Sequence, residues 1–424
     1  MEVSKNSIKV YALVSFVVLA VTGYGMQIIV NHGFGVEGLG EFNSSLAYFL
    51  IASLVTTMGS NFGVLSFASN PKNKNLNSRI WIFKKALKLS SIGFVIVFII
   101  TFFSVNLYKF DFLINNVSLI LLSVGTLFFA VNKILLAFIN ALNQMPKYYL
   151  LQSTRYLLMF VCTLFCVYVY QDIRGLSLIF LFSEIALMII LVSIHQKKIY
   201  WQNLIQSKQE VCDGGSRFIT HCFKSLPGGV IQELAVRVDI IMLTLMSTTK
   251  SVGYYSIAAM IAEGLNQILV IWRDSFSPLF VKIINENTTK LKVFILRMLL
   301  QSGIALALLL IVTYLLYKSV IGFVFGPEIV NFSINTFGIL AAGLILGSPF
   351  TMLQLLPNQM GKPEVMSIIT VFTVLINVVC NYLFIPIWAG LGAAIATSLS
   401  WIVGSIGIIW WTNSYIMKTN RSHL

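Results

Sequence analysis

Leu39-Gly40-Glu41-Phe42-Asn43-Ser44-Ser45 is answered 213 residues later by Val252-Gly253-Tyr254-Tyr255-Ser256-Ile257-Ala258, in a chain of 424 residues. Asn143-Gln144-Met145-Pro146-Lys147 returns as Asn358-Gln359-Met360-Gly361-Lys362 at an offset of 215, and Gly175-Leu176 returns as Gly390-Leu391 at the same offset. Three echoes in order at nearly one offset describe a duplicated unit. In membrane proteins, duplicated halves commonly pack about a shared axis.

Composition places the chain in a membrane. Apolar residues make up 57% of it and charged residues only 10%, with a mean hydropathy of +0.86. A soluble protein carries about 25% charged residues. Apolar stretches long enough to cross roughly 30 Å of hydrocarbon recur along the whole length. The five cysteines (Cys162, Cys166, Cys212, Cys222 and Cys380) are scattered and form no C-x-x-C, and the four histidines stand apart. Neither a metal site nor a cofactor is expected from this pattern. Lys5 and Lys9 precede an apolar run too long for a signal peptide and without a small-residue cleavage site, which reads as a retained first span.

Hydropathy, with breaks at Gly, Pro and charge, predicts twelve helices at about 8–30, 43–69, 86–105, 117–142, 149–170, 175–194, 222–246, 253–280, 293–316, 331–356, 364–386 and 389–415. Six fall in an N-terminal bundle, 1–200, and six in a C-terminal bundle, 222–424, joined by a polar cytoplasmic linker, 201–221. With the N-terminus placed inside, twenty of the 29 Lys and Arg residues fall in cytoplasmic segments and four (Lys109, Arg174, Lys250 and Lys318) outside. That bias is the positive-inside rule, and it puts both termini in the cytoplasm. An even number of helices per copy makes the two bundles parallel, with the pseudo-axis along the membrane normal. The net charge of +14 then follows from topology and contact with anionic inner-leaflet lipid, not from nucleic acid. Gly33-Phe34-Gly35-Val36-Glu37-Gly38 fits a dinucleotide pattern but links two spans, where that pattern is only a turn.

Ionisable residues inside spans cost about 2.5–3.5 kcal/mol each on insertion scales, so they mark interiors, water or partners. Lys133, Arg155, Glu184, Glu233, Arg237, Asp239, Glu263, Arg273, Asp274 and Arg297 are such residues. Glu233 and Arg237 lie four apart on one helix face, where an ion pair is feasible, and Asp239 points elsewhere. Pro227-Gly228-Gly229 near the start of that helix invites a bend. Arg155, Arg273 and Arg297 could instead snorkel to headgroups, and Asp274 could simply neutralise Arg273. Glu184 and Glu263 have no basic neighbour in sequence, which favours a titrating or lumen-facing role. Tyr24, Gln27 and Asn31 form a polar stripe on the first helix, suited to a cavity wall or to interhelical hydrogen bonds. A cationic cavity would suit a phosphate-bearing substrate, because arginine forks grip phosphate oxygens bidentately.

Gly35-Val36-Glu37-Gly38-Leu39-Gly40-Glu41-Phe42 resembles the G-x-E-G-[FYL]-G-x-[FY] turn of polysaccharide exporters in the multidrug/oligosaccharidyl-lipid/polysaccharide (MOP) superfamily. Leu226-Pro227 through Arg237-Val238-Asp239, then Val252-Gly253-Tyr254-Tyr255-Ser256, is similar too. So is Asn377 and Asn381 ahead of Ile385-Pro386 and Gly390-Leu391-Gly392-Ala393-Ala394-Ile395-Ala396-Thr397. The resemblance spans nearly the whole chain. It implies a Wzx-type flippase in a bacterial inner membrane, with a MATE-like all-α fold. Its substrate would be an undecaprenyl-diphosphate-linked oligosaccharide, an O-antigen or capsular precursor, carried by alternating access and ion or proton coupling. On this reading Arg237, Arg155, Lys133, Arg273, Gln27 and Tyr24 line the substrate cavity, while Asp239, Glu233, Glu184 and Glu263 serve ion coupling. Partners would be membrane lipids, a polysaccharide polymerase and a chain-length regulator.

Rival readings are a MATE-type drug exporter and a lipid II flippase. The first usually favours acidic cavities, and the second usually carries two further helices. A membrane polymerase or glycosyltransferase would need a sizeable outer loop with catalytic groups, and the expected outer connections are only about 4–15 residues, poor in acids.

Overall fold

The computed structural model describes residues 5–69, 76–107, 116–196, 215–286 and 288–421, almost all of them helical. In chain order the helices are α1 (Lys5–Thr57), α2 (Ser60–Ala68), α3 (Leu76–Leu107), α4 (Asn116–Ala141), α5 (Met145–Phe165) and α6 (Leu176–Gln196). There follow α7 (Gly215–Met246), α8 (Thr249–Glu286), α9 (Thr288–Phe325), α10 (Pro327–Leu353), α11 (Pro363–Trp388) and α12 (Gly390–Arg421). Among the described residues ten helices are long and apolar enough to cross a membrane, so the chain is a multi-pass membrane protein. The chain divides into two compact units, Met1–Glu233 and Leu234–Leu424.

α1 is two helices joined at one residue. Gly35 sits at φ 66, ψ −165, a backbone region that essentially only glycine enters. Gln27 and Asn43, sixteen residues apart, would be about 24 Å apart along a straight helix. Their side-chain amides instead exchange two hydrogen bonds, Gln27 Nε2 to Asn43 Oδ1 at 2.8 Å and Asn43 Nδ2 to Gln27 Oε1 at 2.9 Å. The chain therefore folds back at Gly35, and the loop expected over 31–42 shrinks to a single non-helical residue. The second expected helix, 43–69, is interrupted at Met58 (φ 49) and Gly59 (φ 70). The Thr57 carbonyl at that break accepts from the hydroxyls of Ser60 at 2.6 Å and Ser90 at 3.2 Å. A broken span persists in hydrocarbon only where side chains re-satisfy the backbone in this way.

The core of the N-terminal unit joins α2, α3, α4 and α6 through Val64, Ile82, Ala86, Ile134, Leu187 and Leu191, and it includes Phe218 and Cys222 of α7. α7 begins at Gly215, not at 222, and residues 201–214 of the expected linker lie outside the described residues. A Cβ on Gly59 or Gly63 would collide with Cys222 of α7, so the two helices cross here at backbone distance.

In the C-terminal unit α10 is covered by α12, α8 and α9, and α11 packs on α12. Pro349 breaks the α10 hydrogen-bond ladder, and the Ile345 carbonyl takes the Ser348 hydroxyl at 2.8 Å. Ser405 of α12 mends the same region by accepting from the Phe350 N–H at 3.1 Å and donating to the Gly347 carbonyl at 2.9 Å. The echoed Asn-Gln-Met turns both carry a left-handed residue, Asn143 (φ 58) in the first and Gly361 (φ 72) in the second. Each lies just ahead of a helix with proline in its first turn.

Candidate functional site

Two polar clusters are buried inside the helices, one in each unit. In the N-terminal unit Glu184 of α6 is fully buried and Arg155 of α5 is 5% exposed. Arg155 Nε lies 2.9 Å from Glu184 Oε1, and Nη2 donates to Oε2 at 3.3 Å. Asn132 of α4 donates through Nδ2 both to Glu184 Oε2 at 2.7 Å and to the Glu184 backbone carbonyl at 2.8 Å. A buried ion pair needs further hydrogen bonds to offset its desolvation, and Asn132 supplies one to Glu184 Oε2. The absence of a basic neighbour to Glu184 in sequence is thus corrected in space. Its partner arrives from the preceding helix, and Arg155 does not reach for headgroups.

The Arg155 guanidinium also lies over the Phe129 ring, 4.5 Å from its centroid, and the Lys133 ammonium lies 5.3 Å from that centroid. Such contacts stabilise a desolvated cation by about 1–2 kcal/mol. Arg155 is committed to Glu184. Lys133 is only half-buried and lies within electrostatic reach of Arg155, Glu184 and Glu233, which makes it the cation of this group best able to meet an incoming anion.

In the C-terminal unit the buried carboxylate is Asp239 of α7. Its Oδ1 accepts from the Ile240 N–H at 2.8 Å. Its Oδ2 accepts from the Tyr255 hydroxyl of α8 and, at 3.4 Å, from the Thr397 hydroxyl of α12. Asn377 of α11 donates to Thr397 and to Ser400, each at 3.3 Å, and Asn381 donates to Asn377 at 2.6 Å. Four helices thus meet around one carboxylate and a set of hydroxyl and amide groups. The exit turn of α5 carries an exposed polar pair, in which Arg174 donates to Asp172 at 2.7 Å and holds that carboxyl below the usual aspartate range.

Other expected site residues stand apart from these clusters. Gln27 spends its amide on Asn43, which ties the two arms of α1, and Tyr24 is 37% exposed. Arg273 of α8 is bound to Asp274 at 2.9 Å and to Gln354 at 2.7 Å. Glu233, Arg237 and Glu263 are half-buried, and Arg297 is exposed. Asn132, Phe129 and Tyr255 had escaped notice as site residues. Asn132 sits beside the flagged Lys133, and Tyr255 lies inside the echoed Val252–Ala258 stretch, so adjacency was the available signal. Among the described residues no three His, Cys, Asp or Glu side chains gather as a metal site.

A helical membrane protein with ionisable clusters enclosed by its spans has the form of a transporter. The sequence pattern of the polysaccharide biosynthesis protein family matches residues 9–284, well over half of the chain, and the chain belongs to that family. No curated protein matches it. Its fold is similar to a multidrug resistance MATE family transporter of the MOP superfamily in an inward-facing conformation, with TM-score 0.77, 14% identity, and 97% of this chain and 100% of that one covered. It is similar also to the lipid II flippase MurJ in an inward closed conformation, with TM-score 0.77, 13% identity and coverages of 95% and 87%. A MOP superfamily transporter from Pyrococcus furiosus, described as having a binding pocket of reverse polarity, aligns with TM-score 0.62, 14% identity and coverages of 97% and 94%. The chain therefore has the fold of the MOP superfamily.

Proposed function

We propose that this protein is a flippase for a polyprenyl-diphosphate-linked oligosaccharide, carrying polysaccharide repeat units from the cytoplasmic to the outer face of a bacterial inner membrane. The observation that carries the reading is the conjunction of a polysaccharide biosynthesis family pattern over 9–284 with a transporter fold. Lys133 supports it, because a half-buried cation not committed to an ion pair of its own among the described residues answers the diphosphate of a lipid carrier. Export of cationic drugs is disfavoured for the same reason.

In this scheme the chain crosses the membrane twelve times with both termini inside. The fold-back at Gly35 contributes two spans, and the charge-bearing α7 is the span that composition alone undercounts. The halves 1–200 and 222–424 act as parallel bundles, Arg237, Arg273 and Tyr24 face the substrate path, and Gln27 holds the two arms of α1 together behind it. Asp239, with Glu233, Glu184 and Glu263, takes the coupling proton or ion. A polymerase and a chain-length regulator would consume the flipped product. The test is a deletion strain. Lipid-linked repeat units should accumulate on the cytoplasmic leaflet while sensitivity to cationic drugs stays unchanged. Unimpaired surface polysaccharide in that strain would refute the proposal.

A further inference from the structure

Two half-buried amides in the C-terminal unit have their carbonyl oxygens engaged by a neighbouring side chain. Arg273 Nη1 donates to Gln354 Oε1 at 2.7 Å, across from α8 to the C-terminal end of α10. A guanidinium has no acceptor, so this contact fixes the amide orientation, with the carbonyl engaged and the Nε2 hydrogens turned away. One turn earlier on α10, Thr351 donates its hydroxyl to Asn266 Oδ1 at 3.0 Å. That leaves the Asn266 Nδ2 hydrogens and the Thr351 oxygen lone pairs available. Asn266 and Arg273 lie seven residues apart, two turns along one face of α8. Asn266, Arg273, Thr351 and Gln354 are all half-buried, neither sealed in the core nor fully exposed. Polar groups at such positions in a span face water or a polar ligand, because hydrocarbon contact would strand their donors.

Charge narrows the ligand. Glu263 lies one turn before Asn266 on the same face of α8, and Asp274 adjoins and neutralises Arg273. The strip therefore carries no positive excess, and a carboxylate-bearing sugar would meet the Glu263 charge. A neutral substituent with a carbonyl acceptor and an N–H donor fits. Its oxygen accepts from Gln354 Nε2 or Asn266 Nδ2, and its N–H donates to the Thr351 oxygen.

We infer that Asn266, Thr351 and Gln354 form a specificity-determining subsite for the acetamido group of an N-acetylated sugar, with Arg273 as the positioning residue that orients Gln354. The inference rests on the flippase reading and assigns the sugar contacts to α8 and α10.

The test uses the full chain in proteoliposomes with two probes. One is a polyprenyl-diphosphate-linked disaccharide ending in N-acetylglucosamine, and the other is its glucose-terminated counterpart. Translocation is read as the fraction of glycan reached by an external galactosyltransferase, scored against detergent-opened vesicles. The wild type should favour the acetamido probe by about five- to tenfold, as two neutral hydrogen bonds would give. Gln354→Glu keeps an acceptor for Arg273 but removes the N–H donors, and Thr351→Val removes the hydroxyl at nearly constant shape. Both should bring the ratio to within about twofold of unity while leaving the glucose probe's rate unchanged. Arg273→Met should lower the ratio whatever its effect on the glucose probe's own rate, and Arg273→Lys should restore the ratio in part. Equal wild-type rates for the two probes, or an undiminished ratio in Gln354→Glu and Thr351→Val, would overturn the subsite and leave the flippase standing. Movement of neither probe by the wild type would overturn both.

Discussion

The Arg155–Glu184 pair shows how a residue's cost in hydrocarbon is answered by geometry. Arg155→Met would leave the Glu184 carboxylate buried with only Asn132 as a side-chain partner. We expect a loss of about 3–5 kcal/mol, read as a lower thermal midpoint in detergent. Arg155→Met combined with Glu184→Leu should recover most of that loss, because no buried charge is then stranded. Additive losses in the double variant would show that the pair is not a unit. Lys133→Ala removes the half-buried cation and should abolish glycan export with the thermal midpoint nearly unchanged. Retained export would move the anion site elsewhere. Tyr255→Phe deletes one donor to the buried Asp239 and should cost about 1–3 kcal/mol. The charged members of both clusters were legible in sequence, since an ionisable group in an apolar run stands out by its solvation cost. Asn132, Tyr255 and Thr397 were not, because a neutral polar side chain carries no comparable signal until tertiary structure supplies its carboxylate.

Among the elements, the tightest constraint is the fold-back at Gly35. Any Cβ at φ 66, ψ −165 is strained, and Gly35→Ala should destabilise by about 1–3 kcal/mol. Differential scanning of the purified protein would register this, and an unchanged midpoint would mean that the turn relaxes freely. The all-helical, multi-span character was readable, since apolar length and charge breaks are local properties. The interruption at Met58-Gly59 was not. One glycine in an apolar run is common in spans, and the groups that stabilise the break, above all Ser90, come from another helix. One helix end was placed well short of its observed position. α9 runs to Phe325 and gives way to α10 through Gly326 alone, because Lys318 is a single charge in a run that turns apolar again over 320–325.

At the scale of the whole molecule, charge asymmetry carries the orientation. Lys147→Cys and Lys250→Cys, each in a background with the five native cysteines replaced, test it through two exposed positions. A membrane-impermeant thiol reagent should label residue 250 in intact cells and residue 147 only after permeabilisation. The reverse pattern would turn the chain over. The division into two units falls between Glu233 and Leu234, inside the unbroken helix α7. Phe218 and Cys222, on the early turns of that helix, complete the interior formed by α2, α3, α4 and α6. During synthesis, then, the first six spans cannot seal their core from their own sequence. The nascent chain must wait until the ribosome has passed residue 222 and the start of α7 has emerged. The first unit closes only when its own last stretch, the start of α7, has been made.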